Sequence, residues 1–275
     1  MIKPVSNGGS QLLKIIVCVK QALDVTQIKA DPATRQLITV DAKRKISDFD
    51  KNAIEASLQI KEKQGAEVTA LTVSAEDAKM ILREALAMGA DKAYMVSDPS
   101  FEGSDTLVTS YILAEAIKKI GEFDLILCGE ASVDSYSAQV GPRLAERFGV
   151  PQITYARKLD VEGNVLMVER TLEDCYETVK AKTPVLVTVT AETNTPRIPS
   201  LMAIMKASKK EIVPWSAQDL GISKEKVGKT GSAIQVIEVL APKVERKRIV
   251  IKGETAAEIA EELAKSLIKE GVVGR

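Results

Sequence analysis

The sequence predicts an α/β protein built on a doubly wound, mostly parallel sheet. Before Pro151, short apolar runs rich in Ile and Val alternate with longer segments whose apolar residues recur at helical spacing. Strands that alternate with helices favour a parallel sheet covered by helices on both faces. With 275 residues, 45% of them hydrophobic, the chain is long enough to bury one large core of this kind.

The elements of this alternating region follow one another as successive βα units. Strands are predicted at 12–20, 67–73, 93–96 and 125–128, and helices at 49–63, 75–88, 105–120 and from 140 onward. Asp48 and Ser74 stand where helix-capping residues are expected. Gly89 is placed to end the second helix. Residues 21–47 carry mixed turn signals, which predict no regular element there.

The pattern changes after Pro151, where helical spacing disappears. Predicted strands at 153–160 and 165–170 flank Val161-Glu162-Gly163-Asn164, a hairpin signal, and strands at 176–181 and 184–190 follow. We therefore expect an antiparallel hairpin added to the parallel sheet. Residues 191–215 show no clear periodicity and are predicted to form a long loop, of a length that is usually functional or ordered by a partner.

The tail after Trp215 is predicted to hold one strand, at 233–239, and one helix. Thr255 and Glu258 form a capping box, and Ile259, Leu263 and Leu267 lie along one stripe of the helix that follows. Because little adjacent core is available to bury this stripe, we expect the tail to act as an arm that docks on another chain.

Composition excludes several classes of function. The chain has no histidine, which rules out a Ser-His-Asp triad, a Cys-His pair and histidine-ligated zinc. Its three cysteines form no C-x-x-C pair, so no metal site is predicted, and they fit a reducing cytoplasm. Net charge is zero, which argues against nucleic acid as a partner. No apolar run is long enough for direct membrane insertion.

Residues 124–146 carry the strongest functional signal. An apolar run ends in Gly129, a polar loop with Glu130, Ser132, Asp134 and Ser135 follows, and an apolar helical stripe begins at Val140. At a strand–loop–helix junction the free N–H groups of the helix can hold a phosphate, and hydroxyl and carboxylate groups can bind ribose. The alternative is an ordinary βα crossover, and spacing alone leaves both hypotheses open.

Several ordered motifs resemble the beta subunit of electron transfer flavoproteins. They are VCVKQALD at 17–24, SDFDKNAIEAS at 47–57, ALAMGAD at 85–91, GEASVDSYSAQVGP at 129–142, NTPRIPSLMAIMKASKK at 194–210 and DLGI at 219–222. The resemblance covers roughly residues 14–222 and implies an adenine nucleotide alpha hydrolase-like fold. It also implies a nucleotide-binding domain at 13–192 and a partner-recognition loop at 193–215. The polar, Gly-containing residues 1–12 are predicted to be a flexible extension, and residues 216–275 an arm that docks on the alpha subunit.

The motifs AQVGP, VCVKQ and DKNAIE are more similar to the electron-bifurcating type of this family than to its simple carriers. That resemblance implies FAD in the beta-subunit site, with NADH delivering a hydride to it. One electron would pass to the alpha-subunit FAD and onward to a quinone-linked oxidoreductase or a dehydrogenase, and the other to ferredoxin or flavodoxin. Ser135-Tyr136 and Ser47-Asp48 depart from the residues usual in that type.

The resemblance assigns the site residues one by one. Those expected at the nucleotide are Cys18, Ser47, Asp48, Phe49, Asp50, Val73, Gly129, Glu130, Ala131, Ser132, Val133, Asp134, Ser135, Ser137, Ala138, Gln139 and Val140. Leu201, Met202 and Met205 are expected to dock on a redox partner, with Leu201 inserted into a pocket of that partner. No side chain is expected to be catalytic, and oxidoreductase activity is expected only within the complex.

Two alternatives stay open. A simple carrier would hold structural AMP in the beta site and only one flavin per heterodimer. A stand-alone nucleotide-sensing module of similar fold would bind no flavin at all. The expected location is the cytoplasm, with membrane association only through partner subunits.

Overall fold

The computed structural model describes residues 12–243 and 246–273, so the predicted N-terminal extension lies almost wholly outside the described residues. The strands are β1 (Leu13–Cys18), β2 (Gln21–Leu23), β3 (Lys29–Ala30), β4 (Leu37–Ile38), β5 (Arg44–Ile46), β6 (Ala66–Ser74), β7 (Lys92–Ser97), β8 (Leu125–Gly129), β9 (Gln152–Glu162), β10 (Val165–Thr171), β11 (Tyr176–Lys182), β12 (Val185–Val189) and β13 (Val213–Trp215). The helices are α1 (Asp48–Gln64), α2 (Lys79–Met88), α3 (Thr106–Ile120), α4 (Val140–Phe148), α5 (Leu201–Lys209), α6 (Gly228–Gly231) and α7 (Ala256–Lys269).

The described residues build a nine-stranded sheet in the order β11-β10-β9-β12-β8-β1-β6-β7-β13. From β9 to β13 every neighbouring pair is parallel, whereas β10 is antiparallel to both β9 and β11. Every residue of β12 is buried, as is expected of a strand covered on both faces. The predicted α/β fold, mostly parallel with an antiparallel hairpin addition, is confirmed.

Alternate side chains of the central strands belong to two hydrophobic clusters, one on each face of the sheet. Ile15 and Val17 of β1 pack with α1 and α2 through side chains such as Ile54 and Leu82. Ile16 and Cys18 face the opposite way and pack with α3 and α4, whose contributions are Ile112, Ile117, Leu144 and Ala145 among others. The two-residue period of a strand therefore supplies both halves of the core.

Two predicted helix caps are wrong. Asp48 is the first residue of α1, and the capping position before it is occupied by Ser47, whose side chain makes no capping bond. The second helix begins at Lys79 rather than Ala75. Ser74 Oγ accepts a hydrogen bond from Glu76 N at 3.1 Å, and Asp77 Oδ1 accepts one from Lys79 N at 2.9 Å. These short-range bonds favour a turn over a helix, which delays the helix start.

The segment predicted as a long loop is partly regular. Residues 191–200 have no helix or strand, but α5 follows directly and β13 then pairs in parallel with β7 at the edge of the sheet. The predicted strand at 233–239 is wrong: those residues have no strand partner within the described parts of the chain, and Val236 and Ile237 are exposed. The predicted C-terminal helix is confirmed as α7.

The chain forms two compact units. One holds the described residues up to Lys29 together with Ile38–Val239, and it contains the nine-stranded sheet and helices α1 to α6. The other holds Ala30–Leu37 with the described residues from Leu240 onward. In this smaller unit Leu240 bridges Gln36, and Ala241 N donates to Arg35 O at 2.9 Å. Thr255 caps α7 by accepting a hydrogen bond from Glu258 N.

Candidate nucleotide site and docking helix

The sheet changes winding direction between β1 and β8. From β1 the chain continues to β6 and β7 on one side, whereas β8 and β12 lie on the other side. Ligands of open α/β sheets bind in the crevice outside the carboxyl ends of the strands at such a point. Cys18 ends β1 and Gly129 ends β8, and Val73 is the penultimate residue of the adjacent β6.

Asp50 joins the ends of these two strands to helix α1. Its Oδ2 atom accepts a hydrogen bond from Lys20 N at 2.8 Å, and its Oδ1 atom accepts one from Gly129 N at 3.0 Å. Burial raises the pKa of Asp50 to about 7, against the lowering effect of the two amides. A Cβ atom at Gly129 would lie 2.6 Å from Asp50 Oδ1, so only glycine permits this close approach.

Lys20 places a cation beside the loop that follows β8. Its Nζ atom donates to Asp134 Oδ1 at 2.7 Å and to Ser132 Oγ at 3.2 Å, and the Ser132 and Ser135 hydroxyls are 2.8 Å apart. Burial raises the pKa of Asp134, but hydrogen bonds from Lys20 and Ser132 outweigh it, so the net shift is downward. Lys20 is absent from the predicted site, although a lysine just after a buried strand was an available signal.

Residues further along the loop contact the first turn of α1. Val133 N donates to Ser47 Oγ at 3.3 Å, and the ring of Tyr136 meets the edge of Phe49 with centroids 5.8 Å apart. Tyr136 Oη donates to Glu130 Oε1 at 3.0 Å. Burial raises the pKa of Glu130, and the tyrosine hydroxyl only partly opposes this. The loop is therefore ordered by its own side chains and by α1.

The loop leads into α4 through strained backbone. Tyr136 and Ala138 have φ values of 46° and 54°, a region that non-glycine residues rarely adopt. Helix α4 begins at Val140, and Pro142 therefore lies in its first turn, where no intrahelical N–H bond is lost. Gln139 precedes the helix, and its Oε1 atom accepts a hydrogen bond from Thr106 Oγ1 at 2.8 Å.

The outer side of the same loop borders open space. A cavity of about 420 Å³ is lined by Glu130, Ala138 and Pro142 from the loop and α4, and by Thr154, Arg170 and Thr188 from the neighbouring strands, among others. Its volume lies within the range of small-molecule sites, roughly 300–1,000 Å³. Glu130 and Ala138 of the loop and the first turn of α4 thus border a space large enough for a ligand.

Some of the predicted site residues contact the loop, and others do not. Hydrogen bonds and ring contacts join Ser47, Phe49 and Asp50 to the loop. Asp48 instead pairs with Lys45 at 3.0 Å. Cys18 is buried at the strand end, and its hydrogen bond to Cys128, together with burial, raises the pKa of the Cys128 thiol. Val73 packs against the α3 side of the core.

The predicted docking residues lie on helix α5 rather than in a loop. Leu201, Met202 and Met205 are 74%, 64% and 56% exposed. Ser200 caps the helix by accepting a hydrogen bond from Ala203 N at 3.2 Å, and Ala207 is the buried residue of the helix. An apolar helix face presented to solvent is typical of a surface that contacts another protein.

The described residues contain no cluster of His, Cys, Asp or Glu suited to a metal ion, and none of their helices is long and apolar enough to cross a membrane.

Comparison with known proteins identifies relatives over most of the chain. A family model described as "Electron transfer flavoprotein domain" matches residues 34–220. The electron transfer flavoprotein subunit beta of Thermoanaerobacterium thermosaccharolyticum is 42% identical over 242 residues, 88% of this chain and 93% of that protein. The subunit of the same name from Megasphaera elsdenii is 38% identical, covering 95% of this chain and all of that protein. The caffeyl-CoA reductase-Etf complex subunit CarD of Acetobacterium woodii is also 38% identical, with the same coverage.

Proposed function

The chain belongs to the electron transfer flavoprotein family as a beta subunit, and on that basis we propose that it binds FAD in the crevice between β1 and β8. The partner chain is an alpha subunit that carries a second FAD. The finer part of the proposal is electron bifurcation: the complex takes electrons from NADH and divides them between two acceptors. These are a quinone-linked oxidoreductase or dehydrogenase, reached through the alpha subunit, and ferredoxin or flavodoxin.

The observation that carries the proposal is the preformed loop at the winding reversal of the sheet. Its start is tied to α1 by Ser47 and Asp50, its middle to Lys20, and its end enters α4 through strained backbone. The helix amides and Lys20 are suited to the phosphates of a nucleotide. A strained backbone that is held in place by several surrounding contacts, beside such groups, is typical of a ligand site. The residues present therefore fit an adenine nucleotide.

In this proposal the chain binds and orients its ligand but supplies no acid or base. The flavin, when bound, supplies the redox chemistry. Lys20 and the α4 amides hold the pyrophosphate, and Ser132, Ser135 and Asp134 are the groups available to the ribose hydroxyls. Asp50 is occupied by two backbone amides, so its part is to shape the floor of the crevice.

A simple carrier with AMP in the same crevice is the second candidate. Tyr136 favours it, because the bulky ring stands at the edge of Phe49 where a glycine would leave more space. The cavity beside Glu130 favours the dinucleotide, because it adds room beyond that of a mononucleotide.

Counting cofactors separates these candidates. The chain is co-expressed with its alpha subunit, and FAD and AMP are released and quantified per heterodimer. Two FAD and no AMP support the proposal, whereas one FAD with one AMP supports the simple carrier. A heterodimer without nucleotide in the beta subunit would refute both.

Asp134→Ala tests the placement of the ligand. The change removes the carboxylate that orients Lys20, so the nucleotide occupancy of one site should fall by about tenfold while the alpha-subunit flavin stays. Asp174→Ala, in an exposed turn far along the chain, is the matched control and should leave both sites filled. Equal occupancy in the two variants would contradict the assigned site.

We further propose that α5 docks on the redox partner through Leu201, Met202 and Met205. Lys206 and Lys209 follow on the same short helix, so the complementary surface is apolar with an acidic rim. Leu201→Ala should raise the KM for a purified acyl-CoA dehydrogenase by roughly tenfold. Leu12→Ala, an exposed leucine outside α5, is the control and should leave the KM unchanged.

A further inference from the structure

A buried carboxylate of α1 holds the segment that leads into α5. Glu55 is 4% exposed, and its two oxygens accept hydrogen bonds from Arg197 Nε at 2.7 Å and from Arg197 Nη2 at 2.9 Å. The backbone N–H of Arg197 donates to the same carboxylate at 3.1 Å. Glu62, about two turns further along α1 and exposed, accepts from Arg197 Nη1 at 2.5 Å and from Nη2 at 3.2 Å.

The chain before Arg197 is fastened to the same helix. Asn52 Nδ2 donates to Asn194 O at 2.8 Å, and Asn194 Nδ2 donates in return to Asn52 O at 3.0 Å. Successive turns of α1 thus hold residues 194–197 through reciprocal amide bonds and a bidentate ion pair.

The other end of α5 is fastened to α2. Arg83 Nη1 donates to Ala207 O at 2.7 Å and also to Lys210 O. Lys210 Nζ donates to Ala90 O at 2.7 Å. Between these two attachments Leu201, Met202 and Met205 of the docking face are exposed, whereas Ala207 of the same helix is buried.

We propose that Glu55 is a positioning residue for partner docking: through Arg197 it orders α5 before the partner arrives, so that Leu201 is already presented. This inference rests on the docking function proposed for α5. A nine-residue helix is marginal by itself, and an exposed apolar face adds nothing until a partner covers it. The attachments at its two ends are therefore what keep the helix formed in the free heterodimer.

The identity of both residues matters to this role. A guanidinium binds a carboxylate through two parallel bonds, and lysine cannot reproduce that geometry. Loss of the pair lets residues 198–206 populate states that cannot dock. The apparent affinity for the partner then equals the intrinsic affinity multiplied by the fraction of the population that remains competent.

The experiment uses the full heterodimer with a purified acyl-CoA dehydrogenase as the docking probe. Removing one charge alone leaves the other buried without a partner, and such a variant can fail to fold. The main variant is therefore the double substitution Glu55→Gln/Arg197→Gln, with Arg197→Lys as a milder version. Glu62→Gln is the matched control, because it removes a carboxylate from the exposed side of Arg197 and leaves the Glu55 contacts in place.

Amide hydrogen exchange of residues 203–206 should become about tenfold faster in the double variant, and the KM for the dehydrogenase should rise about tenfold. The kcat at saturating partner should stay within about twofold, because a bound partner re-forms the helix. Glu62→Gln should behave as the unmodified protein in all three measurements, and Arg197→Lys should lie between.

Unchanged exchange in the double variant would overturn the inference, as would faster exchange with an unchanged KM. A fall in kcat with no change in KM would also overturn it, because the pair would then serve the fold rather than docking. The exchange measurement needs no bound nucleotide. A heterodimer that lacks FAD in the beta subunit would therefore count against the proposed cofactor while the ordering of α5 is still being tested.

Discussion

Asp50 shows how a single buried carboxyl makes the stability of the site depend on pH. Its pKa is raised by burial to about 7 in the folded chain, against 3.8 as the ordinary value. Between about pH 4 and pH 7 the folded chain therefore holds a proton that the unfolded chain releases. The Asp50 contribution to the free energy of unfolding should fall as pH rises through this window, by up to about 1.4 kcal/mol per pH unit.

The prediction is checked on the nucleotide-depleted heterodimer by thermal unfolding between about pH 5 and pH 8. Relative to Asp50→Asn, the unmodified protein should lose stability as pH rises. Asp134→Asn is the control: hydrogen bonds hold the pKa of Asp134 below its ordinary value, so this carboxyl does not titrate in the window. A constant offset between Asp50→Asn and the unmodified protein would refute the assigned pKa.

Gly129 is the residue at which the crevice tolerates no side chain. An added Cβ would meet Asp50 Oδ1 at 2.6 Å and Phe49 Cβ at 2.7 Å, both in helix α1. Gly129→Ala should therefore force α1 away from β8, lower stability by about 1–3 kcal/mol and reduce nucleotide occupancy. Gly163→Asn is the control, since Gly163 has φ +57° in open space and asparagine tolerates that conformation. Equal stability of the two variants would show that α1 accommodates the methyl group.

The polar loop could be predicted from residue types, but its partners could not. Ser132 and Asp134 were recognisable as residues that could bind ribose, because they follow a buried strand. Lys20 meets them across more than a hundred residues of sequence, and Asp50 bonds Gly129 N across 79 residues. No local pattern reports such contacts, because they depend on which strands are neighbours in the sheet.

At the scale of elements, periodicity predicted those helices and strands that bury a face. The β1, β6, β7 and β8 strands and the α1 and α3 helices were predicted within a few residues. Helix α5 was missed because its apolar residues form one continuous run, Leu201–Met205, in which no helical spacing is visible. The segment predicted as a strand at 233–239 is rich in Ile and Val, but a strand also requires a hydrogen-bonding neighbour, and composition does not provide one.

Ser200 is expected to contribute to the order of α5 by itself. Its Oγ atom accepts a hydrogen bond from Ala203 N at 3.2 Å, one of the free amides at the helix start. Ser200→Ala should cost the helix about 1 kcal/mol, which corresponds to roughly fivefold faster amide exchange in residues 203–205. Ser208→Ala is the control at the far end, where the hydroxyl only donates back to Met205 O. Equal exchange in the two variants would exclude the capping role.

At the scale of the whole molecule, the second unit has almost no core of its own. Helix α7 has no buried residue, and Ile259 and Leu263 are 40% and 46% exposed. Ile234, Val236, Ile237 and Val239 are also exposed, and they are the last apolar residues along the chain before the second unit resumes at Leu240. An apolar stripe on an isolated helix is stable only when another surface covers it. We propose that the alpha subunit covers α7 in the heterodimer.

The double substitution Ile259→Ala/Leu263→Ala tests this proposal. It removes apolar side chains from the stripe while alanine keeps the helix favourable, so the heterodimer should dissociate at least about tenfold more readily. Glu261→Ala/Lys265→Ala is the matched control: it removes an ion-paired couple on the opposite side of α7 without a change in net charge. Sedimentation of each heterodimer across a dilution series measures the effect. If both variants dissociate alike, or neither does, the stripe of α7 is not the contact that holds the alpha subunit.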